Sequence, residues 1–119
     1  MDNRKQRGRD GETVAAAFLE KNGVRILYRN FRSPFGEIDI IGKDGKYIIV
    51  VEVKRRLHNR LGTPAEAVRY PKQHKICKTF DYFRMQYRID SFCSVRFDVV
   101  EVDGQMECHW IKNAFEYLE

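Results

Sequence analysis

The apolar positions of the chain follow two rhythms. Between residues 24 and 55, and again from residue 94, they come as short runs or strict alternation: VRILYRNF, GEIDIIG, KYIIVVEVKR and SVRFDVVEV. Short β-branched runs, and a period of two bounded by Gly or Asp, mark strands. Strands are therefore predicted at Val24–Phe31, Gly36–Gly42, Lys46–Arg55, Ser94–Val102 and Met106–Ile111. The second rhythm is helical. Val14, Ala15, Phe18 and Leu19 make one stripe, with Asp10 placed to cap the helix and Gly23 to end it after Asn22. Ile76, Phe80, Phe83 and Tyr87 repeat at four, three and four behind Pro71, as a helix covering a sheet requires. TPAE at Thr63–Glu66 is a capping box that predicts a short helix, and a last helical turn is expected from Asn113. The order α-β-β-β-α-β-β is an α/β layout with a mixed central sheet, the 71–88 helix crossing over to a parallel strand.

Asp44-Gly45 between apolar runs signals a hairpin. Taken as a two-residue turn, it sets Lys43 opposite Lys46, Glu37 opposite Glu52, and Asp39 diagonal to Glu52. Alternation then predicts that Glu37, Asp39, Glu52 and Lys54 share one face. Like charges across a ladder are destabilising, and crowded carboxylates resist ionising unless something positive offsets them. A hard divalent cation, Mg²⁺ or Mn²⁺, suits such oxygen ligands, and Lys54 would stand beside it, next to a phosphate. Glu12, near the edge of the first helix's stripe, can look toward the same sheet. The plain alternative for Glu52 and Lys54 is a charge pair at the end of a strand.

Composition narrows the reading. The 119 residues amount to one domain, and 22 Lys+Arg against 17 Asp+Glu leave a net charge of +5, compatible with a polyanionic partner. Arg4, Lys5, Arg7 and Arg9 form a basic segment, expected as a flexible tail over residues 1–9. Arg55, Arg56, His58 and Arg60 follow the third strand directly. Arg9, Arg55, Arg56, Arg60, Lys72 and Gln73 are the candidate phosphate contacts, the last two in the first turn of the crossover helix, where anions are favoured. Such contacts predict recognition by shape rather than by base sequence. Cys77, Cys93 and Cys108 show no ligand spacing, and no apolar run approaches the roughly 18 residues of a membrane span, so a cytoplasmic protein is expected. Arg96 and Asp98 point the same way along their strand, predicting an internal ion pair.

With these segments in view, the chain resembles the PD-(D/E)xK nuclease superfamily. More closely it resembles the small bacterial YraN-like family, described as predicted endonucleases distantly related to archaeal Holliday junction resolvases. Five blocks carry the likeness in order: GRDGE at 8–12, YRNFRSPFGEIDII at 28–41, VVEVKRR at 50–56, LGTPAEAV with PKQ at 61–73, and RFDVVEV at 96–102. The resemblance implies a restriction endonuclease-like three-layer fold. It implies a metal held by Asp39, Glu52, the Val53 carbonyl and the helix acid Glu12, with Lys54 as the catalytic lysine; Glu37 is an additional acid to which the pattern assigns no role. DNA is the implied substrate, at branched or recombination intermediates, with a homodimer as a further expectation. The alternatives are a nucleic-acid-binding module, or an interaction subunit, that keeps the fold without the activity.

Overall fold

A computed structural model describes residues 3–56 and 68–118, with side chains from Asp10 onward. The elements are α1 (Asn3–Lys21), β1 (Arg25–Ser33), β2 (Gly36–Asp44), β3 (Tyr47–Arg56), α2 (Tyr70–Gln86), β4 (Ser94–Asp103) and β5 (Cys108–Phe115). The five strands form one sheet in sequential order, with β3 and β4 parallel and the other neighbours antiparallel. The chain is a mixed α/β protein, and α2 supplies the crossover that the parallel pair needs. The capping box at 63–66 lies outside the described residues.

β3 is apolar without interruption from Tyr47 to Val51 because both of its faces are covered there. Ile49 and Val51 join Ala15, Ala16 and Leu19 of α1, together with Ile40, Val100 and Val102. Ile48 and Val50 join Ile76, Cys77, Phe80 and Phe83 of α2, together with Ile38, Ile41, Phe97 and Val99. Each such fully buried Ile or Val contributes roughly 1.5–3 kcal/mol of transfer free energy. The helices therefore sit on opposite faces, and Tyr87 closes the α2 aromatic row half-exposed rather than in the core.

Three expectations are corrected. α1 begins at Asn3 instead of after Asp10, so the basic segment from Asn3 is helical and Asp10 is interior. β5 runs to Phe115, and Asn113, at φ 54, sits within it rather than opening a helical turn. The β2–β3 hairpin turns at Gly45-Lys46, because Asp44 pairs with Tyr47 and Gly45 takes the left-handed conformation at φ 59. Asp44 stays in its strand because Arg96 of β4 binds its carboxylate at 2.8 Å. A tertiary ion pair thus overrides the local turn signal. The register moves by two residues, which leaves the β3 faces as expected and brings Asp39 one step beyond the Ile40–Val51 pair, across from Glu52.

Candidate metal centre

Glu52 and Lys54 follow the alternation of β3 onto the face covered by α2. Glu52 is 5 % exposed, and burying a carboxylate there requires a cation. Two are provided. Lys72, from the first turn of α2, ion-pairs with Glu52 Oε1, and Lys54 Nζ lies 3.9 Å from the same oxygen. Burial, then the neighbouring Lys72 ammonium, pull the Lys54 pKa below the ordinary lysine range, with Glu52 opposing. Lys72 moves the other way: burial disfavours its charge, but the hydrogen bond and the charge of Glu52 outweigh that.

Asp39 reaches the site through a break in alternation. Ile38 and Ile41, three residues apart, both enter the α2-side core, whereas Ile40 enters the α1-side core. Opposite this break, between the Arg29–Ile40 and Phe31–Ile38 pairs, Asn30 adopts φ 55. The irregular backbone aims the Asp39 carboxylate into the seam between β2 and β3, where Oδ2 accepts the Val53 N–H at 2.8 Å. Burial, then the charge of Glu52, push the Asp39 carboxyl up to about 7, and the Val53 hydrogen bond only partly offsets them.

Glu12 approaches from α1. Its side chain is 12 % exposed and lies 3.5 Å from the Arg29 guanidinium, yet its buried Oε1 has no hydrogen-bond donor. Burial raises its pKa, and its charge in turn raises that of Asp39. The carboxylates of Glu12, Asp39 and Glu52 do not close as a trio within 4.8 Å of one another. Their chemistry nevertheless fits a hard cation: three carboxylates of low exposure, one oxygen without a donor, and one acid that resists ionising for want of positive charge.

The other candidates are placed as follows. Glu37 is exposed and pairs with Arg32 at 3.7 Å, and its charge adds to the rise in the Glu12 pKa. Arg55 packs on α1, so close that a β-carbon at Gly11 would lie 3.1 Å from its Cδ. Arg56 binds the buried Glu101 at 3.0 Å. Gln73 donates to the Val68 carbonyl at 2.7 Å and so anchors the entry to α2. The Arg9 side chain and all of Arg60 lie outside the described residues.

A second acidic group escaped sequence reasoning. Asp103, Glu107 and His109 bring one ligand atom each to within 4.8 Å of one another across the β4–β5 turn, an arrangement that could hold a metal ion. The signal was there in the spacing D-x-x-x-E-x-H around Asp103-Gly104, but a hairpin had to bring its ends together. All three residues are solvent-accessible, and Asp103 also accepts the backbone N–H groups of Gln105 and Glu107.

This geometry sits inside a defined family. The uncharacterised protein family UPF0102 matches residues 11–102, a span that includes Glu12, Asp39, Glu52, Lys54 and Lys72. The chain belongs to the UPF0102 family. It is 44 % identical over 108 residues to a UPF0102 protein of Thermodesulfovibrio yellowstonii, covering 91 % of this chain and 94 % of that one. A UPF0102 protein of Caldicellulosiruptor saccharolyticus is 42 % identical over 118 residues, covering 95 % and 99 %. One of Legionella pneumophila is 34 % identical over 112 residues, covering 93 % and 95 %. The family match thus spans the Glu12, Asp39 and Glu52 cluster, whereas Asp103, Glu107 and His109 lie just beyond it. Among its described residues, no helix is long and apolar enough to cross a membrane.

Proposed function

We propose that this UPF0102 protein is a metal-dependent nuclease of restriction endonuclease-like fold that hydrolyses DNA phosphodiester bonds. The observation that supports this reading is the charge environment of Asp39: burial and the neighbouring Glu52 charge hold its carboxyl up at about 7, while Lys54 Nζ stands 3.9 Å from Glu52. A scaffold gains nothing from crowding acids in this way; a cation site does. Asp39, Glu52 and Glu12 would hold Mg²⁺ or Mn²⁺ with the Val53 carbonyl. Bound there, such an ion would supply positive charge against the phosphate and lower the pKa of water.

The chain's own residues do the rest. The Val53 N–H fixes the Asp39 carboxylate, so its second oxygen is presented in a set direction. Lys54, whose ammonium is destabilised by burial and by Lys72, is suited to exchange a proton with the attacking water and to face the phosphate as charge grows. Lys72 neutralises Glu52 until substrate and cation enter. The same Lys72–Glu52 ion pair favours the second reading, a nucleic-acid-binding module whose acids are closed off for structure.

Cleavage of fork, junction and linear DNA with Mn²⁺ or Mg²⁺ separates the two. Wild type should cut, and Lys54→Ala and Glu52→Gln should lose about 10²–10⁴-fold in rate. Equal nicking by all three proteins assigns the activity to a contaminant and leaves the binding module standing.

A further inference from the structure

A groove of about 500 Å³ runs along α2, lined by Phe35, Tyr70, Pro71, His74, Lys75 and Lys78. Tyr70, His74 and Lys78 stand four residues apart on one helix face, and Phe35, at the tip of the β1–β2 turn, forms the opposite wall. Both aromatic rings are presented to solvent: Phe35 is 48 % and Tyr70 66 % exposed. Single exposed aromatics are ordinary, but these two share a groove with ammonium groups, and Lys78 Nζ lies 5.6 Å from the centre of the Phe35 ring.

The turn that carries Phe35 is fastened. Its N–H donates to Ser33 Oγ at 3.0 Å, and Ser33 Oγ bonds Thr79 Oγ1 of α2 at 3.1 Å. Gly36, at φ 154, comes so near α2 that a β-carbon there would meet Thr79 Oγ1 at 3.5 Å and Lys75 Cβ at 3.7 Å. Phe35 is thus held out on a fixed arm, and stacking on it requires little further ordering.

We propose that this groove binds single-stranded nucleic acid, an unpaired base stacking on Phe35 and Tyr70 while adjoining phosphates meet Lys75 and Lys78. Aromatic faces interleaved with cations are the chemistry by which single strands are held, since every base has a π-face and every linkage a charge. A duplex keeps its bases stacked internally and could use the lysines alone. Tyr70 and Lys72, which binds Glu52, both stand in the first turn of α2, so the groove and the acids share that end of the helix. The inference deepens the nuclease reading and rests on it for the class of ligand: it selects substrates with an unpaired segment, such as flaps, gaps and fork arms.

Binding is measured without metal, by fluorescence anisotropy in EDTA. The probes are a labelled oligothymidylate of about 20 nucleotides and a duplex of equal length. Phe35→Ala and Tyr70→Ala, both surface changes, should each weaken single-strand binding about tenfold and leave duplex binding within about twofold. A double change of Lys75 and Lys78 to Gln should weaken both ligands and flatten the salt dependence. Unchanged single-strand affinity in the aromatic variants overturns the proposal, as does an equal loss toward duplex, which would mark a plain phosphate surface or a fold defect. The nuclease reading fails separately: selective single-strand binding by a wild-type protein that cuts none of these substrates with Mn²⁺ or Mg²⁺ would retain the groove and remove the enzyme.

Discussion

Two clusters of buried charge lie in the same sheet, and they are built on opposite principles. In the first, Asp98 is 0 % exposed and fully bonded. Its carboxylate accepts Arg96 Nε at 2.9 and 3.1 Å, an Arg96 terminal nitrogen at 2.8 Å, Trp110 Nε1 at 2.9 Å and the Asn113 N–H at 2.9 Å. Arg96 reaches on to Asp44 and lies over the rings of Tyr47 and Trp110 at 5.2 and 5.8 Å. Its hydrogen bonds to Asp98 raise the guanidinium pKa still further. Every lone pair in use has a donor, so the cluster ties the β2–β3 hairpin, β4 and β5 together. In the second cluster, Asp39 has one backbone donor and a raised pKa, and Glu12 Oε1 has none. A satisfied buried charge serves architecture, whereas a charge kept short of partners has capacity left for a ligand.

The sharpest way to break this contrast is to remove one member from each side. Asp98→Ala leaves Arg96 with Asp44 alone and removes the acceptor of Trp110 Nε1 and the Asn113 N–H, and should cost about 3–5 kcal/mol in urea unfolding, without a specific effect on cation binding. Lys54→Ala should do the reverse, abolishing cleavage while moving stability by less than about 1 kcal/mol. Comparable stability losses for both would place Lys54 in the same structural class as Asp98.

A smaller and more specific effect concerns pH. The Asp39 carboxyl titrates near 7 in the folded protein against about 4 when unfolded, so the folded state binds the extra proton between those values. The metal-free protein should therefore lose stability as pH rises from about 4 through 7. Asp39→Asn removes that loss: it should match wild type at about pH 4 and exceed it by up to about 4 kcal/mol at pH 8. Parallel melting curves of the two proteins across this range would show that Asp39 is not held in strain. Raising pH through the same window should tighten Mn²⁺ binding to wild type, since the proton leaves an acid placed to hold the ion.

The smallest expected effect is at Lys72, whose ammonium already neutralises Glu52. Lys72→Met removes that competitor and should tighten Mn²⁺ binding about fivefold by titration calorimetry while lowering metal-free stability slightly. Weaker binding would mean that Lys72 orders Glu52 for the ion instead of standing in its place.

Residue pattern alone was enough for the order of elements, for the two helix faces, and for the position of Glu52 and Lys54 on one side of β3. Those follow from short-range periodicity, which survives errors of register because an even shift preserves the face. The Arg96–Asp98 pair was legible for the same reason, as two residues apart on one strand. What could not be read was anything set by contacts distant in sequence. The turn moved to Gly45-Lys46 because Arg96 captured Asp44 from 52 positions away. Asp39 left the expected alternation because Asn30, on another strand, opens the local pairing. Lys72 looked like a surface phosphate contact until α2 folded over β3 and set it on Glu52. The Phe35 and Asp103 sites likewise needed a turn and a helix, or two strands, to be brought side by side. Local periodicity is a property of neighbouring residues, but the environment of a charge is a sum over everything that folding packs around it, and that sum exists only in three dimensions.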